Sequence, residues 1–201
     1  ALNRGEFHSA EYRRLAKGGR EIWIQASYNP VLSRTGRPYK VVKFATDVTE
    51  QKRKAADIDG QIAAIHRSMA VIAFDLDGTV LEANDAFLPV MGYRLEEVRG
   101  RHHSQFVEPD YARTADYRAF WEALRQGEFF SAEYKRLAKG GREVWIQASY
   151  NPILDANGRP FKVVKFATDI TEQVTERQRR ERIQKQIARD LDSITVAVED
   201  A

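Results

Sequence analysis

The chain has 201 residues, 43% hydrophobic and 30% charged, a composition of ordinary globular proteins and not of disordered ones. Its 32 basic and 29 acidic residues leave a net charge of +3 and are interspersed, so the basic pI gives no ground for nucleic-acid binding. It has no cysteine, which excludes disulfides, thiolate metal sites, cysteine nucleophiles and any chromophore attached through sulfur.

Residues 5–51 and 127–173 are nearly one sequence at an offset of 122, with nine differences in 47 positions. Only His8 against Phe130 changes the chemistry of a patterned position. The second copy is preceded by about 60 residues of the same unit. The expected organisation is therefore the C-terminal half of a first domain over residues 1–50, a linker helix over 51–69, a complete domain over 70–172 and an exit helix over 173–201. A lone half-domain exposes an apolar sheet face. That favours a fragment of a longer protein, or completion of the half by another chain.

The linker carries Ala55, Ile58, Ile62, Ile65 and Met69 at heptad spacing, a seam that calls for a second helix. Val71 to Leu76 and Thr79 to Ala83 read as short strands around an Asp77-Gly78 turn. Asn84 is placed to cap a short helix holding Phe87, Leu88 and Met91, which Gly92 ends. Pro109 opens a longer expected helix, Asp110 to Leu124, with Tyr117, Phe120, Trp121 and Leu124 on one face. Three strands follow. Phe130, Ala132 and Tyr134 alternate in the first, Val144, Ile146, Ala148 and Tyr150 in the second, and Val164, Phe166, Thr168 and Ile170 in the third. Ile183, Ile187, Leu191, Ile194 and Val198 give the exit helix a second seam. The class is α+β, with coiled-coil-like connectors that pair in a homodimer or higher homo-oligomer.

The complete unit resembles a PAS domain. Asn84-Asp85-Ala86-Phe87, Met91-Gly92-Tyr93, Gly100, Lys139-Gly140-Gly141-Arg142, Trp145, Asn151-Pro152 and Asp169-Ile170-Thr171-Glu172 carry the resemblance by order and spacing. It implies the PAS fold, a five-stranded antiparallel sheet flanked by short helices. The tandem arrangement looks like the sensory part of soluble methyl-accepting chemotaxis proteins, which would feed a downstream chemotaxis kinase complex. Gly100-Arg101-His102-His103 and Phe120-Trp121 are similar to aerotaxis-receptor PAS domains. The candidate cofactor residues are accordingly His103, His102 and Trp121. FAD, haem b or no cofactor are the alternatives, with an imidazole as the iron ligand in the haem case. The candidate signal relay is Arg142, Asp169, Thr171 and Glu172, with Asp169 pairing Arg142 and Thr171 capping the exit helix.

Phe74-Asp75-Leu76-Asp77-Gly78-Thr79-Val80 also matches the first motif of haloacid-dehalogenase-type phosphatases. That chemistry needs a parallel sheet and a downstream acid pair, and hairpins follow instead. The expectation is a non-enzymatic sensory module. The input region of a histidine kinase or cyclic-di-GMP enzyme is the alternative, with the phosphatase a remote third. His66 lacks a kinase context. Trp23 and Trp145 mark either a partner surface or a strand face covered by the flanking helix. No stretch approaches the roughly 20 apolar residues of a membrane span, and residues 1–5 form no signal peptide. The expected setting is cytoplasmic, with no membrane and no nucleic-acid partner.

Overall fold

A computed structural model describes residues 1–199, with side chains described through position 190. The chain forms two compact units, one of residues 1–64 and the other starting at Ile65.

The first unit holds β1 (His8–Leu15), β2 (Glu21–Leu32) and β3 (Pro38–Asp47), an antiparallel sheet in the order β1-β2-β3. Helix α1 (Thr49–Ser68) leaves its last strand and runs into the second unit. Ile24 and Ala26 on β2 are buried, whereas Leu15, Leu32, Val41 and Phe44 are exposed.

The second unit begins with β4 (Ala70–Phe74) and β5 (Val80–Ala83). The Asp75 carboxylate accepts the Asp77 and Thr79 amides, so the acid of the phosphatase-like motif ties down the hairpin turn. Four short helices follow: α2 (Phe87–Met91), α3 (Leu95–Val98), α4 (Pro109–Ala112) and α5 (Ala115–Arg125). The Asn84 side chain accepts the Phe87 amide and starts α2. The single helix expected from Asp110 to Leu124 is two. The Thr114 hydroxyl accepts the Tyr117 amide and caps α5, and the chain turns there although the apolar period continues.

Strands β6 (Phe130–Leu137), β7 (Glu143–Leu154) and β8 (Pro160–Asp169) complete a five-stranded sheet in the order β5-β4-β8-β7-β6. Helix α6 (Thr171–Glu199) leaves β8. The registers of β6 on β7 and β7 on β8 reproduce those of β1 on β2 and β2 on β3 pair for pair.

Val144, Ile146, Ala148 and Tyr150 are all buried, as their alternation predicts. On β8 the core side is the opposite of the one the apolar residues suggest. Val163, Lys165 and Ala167 are buried, while Val164 and Phe166 are half-buried on the other face. The β7 register decides this, because Lys165 lies opposite Tyr150 and Ala167 opposite Ala148. On β6, Ala132 is exposed and Arg136 is buried. The core lies between this sheet and α2 to α5, and includes Phe74, Phe87, Met91, Phe106, Trp121 and Leu124.

The seam residues on the helices face outward. Ile58 and Ile62 are 55% and 49% exposed on α1, and Ile183 and Ile187 are 49% and 53% exposed on α6. Leu191, Ile194 and Val198 lie outside the described side chains.

Candidate functional site

His103 opens a 3-10 turn, His103–Phe106, whose cap is His102. Its imidazole occupies the layer between sheet and helices. Its ring centroid lies 5.3 Å from Phe74 and 5.6 Å from Tyr150 on the sheet side, and 5.8 Å from Tyr117 and 5.4 Å from Trp121 on the α5 side. It is 1% exposed.

Both ring nitrogens are engaged. Nδ1 lies 2.9 Å from the Tyr117 hydroxyl and Nε2 3.0 Å from the Tyr150 hydroxyl. Arg136 donates to the Tyr150 hydroxyl at 3.1 Å. A neutral imidazole donates from one ring nitrogen and accepts at the other, and each tyrosine hydroxyl can take either complementary role, so both neutral tautomers satisfy this pair of contacts. Arg136, Tyr150, His103 and Tyr117 thus form one connected hydrogen-bond chain, with Arg136 donating at its head. Burial, then the charges of Arg136 and Lys165, hold the imidazole well below its usual range, so it is neutral. Burial pushes the Tyr117 phenol up to about 12 and raises Tyr150 as well.

Arg136 and Lys165 complete this layer; burial, then the Arg136 charge, holds the Lys165 amine well below its usual range. Arg136 packs its guanidinium 4.5 Å from the centroid of Tyr134, and Lys165 sets its ammonium 4.9 Å from that of Tyr150. Arg136 Nε and Trp121 Nε1 are buried without a hydrogen-bond partner. The Trp121 indole still lies near enough to the Tyr117 hydroxyl to lower it slightly, without hydrogen-bond geometry.

The sequence candidates separate into those the fold brings together and those it does not. His103 and Trp121 are buried neighbours. His102 is exposed, with Nδ1 on the Ser104 hydroxyl at 2.9 Å and Nε2 on the Asp77 carbonyl at 2.8 Å. Gly78 makes room for this arrangement: its φ is +87°, and a Cβ there would stand 2.8 Å from His102 Nε2 and 2.9 Å from Trp121.

Asp169 and Thr171 are joined. The Asp169 carboxylate accepts the Thr171 amide at 2.9 Å and its hydroxyl at 2.6 Å. The Thr171 hydroxyl oxygen accepts the Trp145 amide of β7 at 3.0 Å. The Ile170 amide donates to the Trp145 carbonyl, and Val174 on the first turn of α6 is buried. Glu172 is exposed on that turn. Trp145 is half-buried, whereas its counterpart Trp23 is 36% exposed.

Arg142 does not pair with Asp169. Its guanidinium donates to the Val90 carbonyl at 2.7 Å, one of the free acceptors at the C-terminal end of α2. Lys139, in the same turn, pairs with Glu97 on α3. This glycine-rich turn therefore clamps the helices and not the exit strand.

Sequence reasoning passed over Arg136, Lys165 and the joining role of Asn84. The Asn84 oxygen accepts the Val71 and Phe87 amides, and its amide donates to the His66 and Met69 carbonyls at the end of α1. That uses its whole bonding capacity to fix the entry helix to the sheet.

Iron ligation needs a free imidazole nitrogen. Neither His102 nor His103 has one, so these residues as arranged do not fit haem. A flavin ring needs donors facing its oxygens and nitrogens. The partnerless Trp121 Nε1–H and Arg136 Nε–H are of that type, although His103 stands in the layer such a ring would enter. Among the described residues no cluster of histidine and acid side chains has the spacing of a metal site.

Comparison with known proteins places these features. A family model described as the PAS fold matches residues 1–45 and 80–167. The biofilm dispersion protein BdlA of Pseudomonas aeruginosa is 43% identical over 173 residues, covering 86% of this chain and 42% of that protein. The aerotaxis receptor of Escherichia coli is 34% identical over 80 residues, 40% of this chain and 16% of that protein. The chain thus spans less than half the length of these relatives. The crystal structure of a PAS domain from Colwellia psychrerythraea superposes with a TM-score of 0.50 at 22% identity, covering 57% of this chain and 98% of that one.

Proposed function

The chain belongs to the PAS-fold family, and from that premise we propose that it is the sensory part of a chemoreceptor-type signalling protein. It converts the state of the buried network around His103 into a change at the exit helix. It performs no chemistry on a substrate itself and works in the cytoplasm as a homodimer paired through α1 and α6. Its output reaches a chemotaxis kinase complex. Likeness to BdlA and to an aerotaxis receptor supports the signalling role.

One observation carries this reading. Strand β7 holds Tyr150, which bonds His103 in the core, and also the Trp145 backbone, to which Thr171 ties the start of α6. A shift of Tyr150 moves the strand on which the exit helix is seated. The helix is a two-state element of the kind that such a shift can bias. The exposed isoleucines on α1 and α6 support helix pairing, since burying the half of each that remains exposed contributes about 1 kcal/mol. FAD is the cofactor whose acceptors the Trp121 and Arg136 donors suit. When bound, it supplies a redox centre, and these residues would hold its ring.

The absorption spectrum of the purified chain, before and after addition of FAD or haem b, tests the cofactor assignment. A flavin doublet lost in Trp121→Phe is expected if FAD is the stimulus carrier. A Soret band that persists in both His102→Ala and His103→Ala contradicts the site. A flat spectrum in every condition removes both cofactors and leaves a colourless ligand. The alternative output, a histidine kinase or cyclic-di-GMP domain, would draw on the same exit helix.

A further inference from the structure

Resting on the reading of α6 as the output element, we infer that Glu133 and Arg177 are positioning residues for it. They form a strap that sets the rotation of the exit helix on the sheet, and with it the direction in which the isoleucine seam points. Arg177 meets the two carboxylate oxygens of Glu133 at 2.6 and 3.3 Å. Such a two-point contact fixes orientation as well as distance. Glu133 stands on β6, one residue from the core-packed Tyr134, and so on the face of the sheet away from α2 to α5. Helix α6 leaves β8, and β7 lies between β8 and β6, so the pair reaches past a whole strand. Thr171 bonded to Trp145, the buried Val174 and Arg177 recur every three residues and make one stripe toward the sheet.

An exposed ion pair adds little stability, and the internal repeat points to a different role. In the first unit Lys52 of α1 pairs with Glu11 of β1, and Glu11 is the counterpart of Glu133 at the offset of 122. The two cations do not keep that offset. Arg177 lies 125 residues after Lys52, because the exit helix holds three more residues, Val174-Thr175-Glu176, between its strand and its cation. The seam is displaced by the same three. Ile58 and Ile62 stand six and ten residues after Lys52, and Ile183 and Ile187 stand six and ten after Arg177.

Three residues turn a helix by about 300° and advance it by about 4.5 Å. The two seams therefore differ in phase relative to their strands, but agree relative to the cation that the strand acid holds. Six residues set the first isoleucine about 120° round the helix from that cation. In both helices this isoleucine is exposed, turned from the sheet that the strap faces.

The chain has no cysteine, so Ser131→Cys on β6 and Ile183→Cys on α6 give one pair of nitroxide labels within a chain. Dipolar spectroscopy in an excess of unlabelled chain reads their distance. Glu133→Gln and Arg177→Gln should each broaden or displace the distribution, by about 5 Å for each 60° of freed rotation. The melting temperature should not change within error. The exchanged pair, Glu133→Arg with Arg177→Glu, should restore the original distribution. A distribution indifferent to both single variants overturns the inference. So does a displacement that the exchanged pair fails to restore, or one that comes with a lowered melting temperature. The distance lies within one chain and needs no stimulus. Failure of two copies to pair through α6 would thus refute the sensory reading and leave the strap standing, whereas an indifferent distribution would remove the strap alone.

Discussion

Tyr150→Phe removes one hydroxyl and leaves the ring, so its cost isolates the polar chain around His103. In the folded chain that hydroxyl is fully buried, accepts from Arg136 and bonds His103 Nε2. Its removal strands a guanidinium donor and the Nε2 of the imidazole. Each unsatisfied buried group costs about 1–3 kcal/mol, and more when charged, which gives about 2–6 kcal/mol for the pair. A domain of this size has only about 5–15 kcal/mol of stability, so the loss is large.

The repeat supplies its own control. Tyr28 occupies the same sequence position in the first unit, but there the phenol is lowered by Arg14 and Lys43, whereas burial raises Tyr150. Tyr28→Phe should leave local stability unchanged within error. Native-state hydrogen exchange reads both strands in one experiment. Amides of β7 should exchange faster in Tyr150→Phe, and those of β2 should not change in Tyr28→Phe. Equal effects at the two positions would refute the reasoning, because they would make the enclosing helices irrelevant to the network.

Other expectations follow from the same geometry. Gly78→Ala should cost about 2–3 kcal/mol, since it adds a clash with His102 and Trp121 to a positive φ. Gly141→Ala, with φ +79° and open space, should cost about 1 kcal/mol, and denaturant titration compares the two. Asn84→Ala should lose about 2–4 kcal/mol by freeing the end of α1, seen as faster exchange at Val71 and Phe87. The pH dependence of stability has a definite sign. Folded His103 resists protonation, whereas the unfolded imidazole titrates near about 6.5. Its contribution is complete above that value and falls as the pH drops, by about 1.4 kcal/mol per unit. His103→Gln should flatten the profile below about pH 6.5, and parallel profiles would contradict the burial argument.

Much of this architecture was legible in the residues. The repeat foretold the identical registers of the two sheets, and the alternation of Val144, Ile146, Ala148 and Tyr150 foretold the buried face of β7. Asn84 was legible as a cap because its side chain bonds an amide three residues on; Thr171 is not the cap expected of it, since its hydroxyl accepts the distant Trp145 amide of β7 and Asp169 accepts the Thr171 amide at the start of α6. Lys165 was not legible, because a lysine reads as a solvent residue and its strand was therefore assigned the wrong core face. The register to Tyr150, a long-range property, overrides that local pattern. Arg142 and Asp169 invited pairing by charge. Thr171 takes the carboxylate instead, and the open carbonyl of Val90 takes the guanidinium. The break before α5 was signalled by Thr114, a good cap inside an uninterrupted apolar period.

The central claim is that the His103 network and the exit helix are coupled through β7 and Thr171. The chain has no cysteine, so Ile183→Cys gives a single site for a nitroxide label on the seam of α6. The label-to-label distance between two copies should be measured with Tyr150 and with Tyr150→Phe, each with Thr171 and with Thr171→Ala. The account predicts a distance distribution that shifts with Tyr150→Phe and a shift that Thr171→Ala abolishes. A distribution indifferent to Tyr150, or the absence of any dipolar coupling between copies, would contradict it.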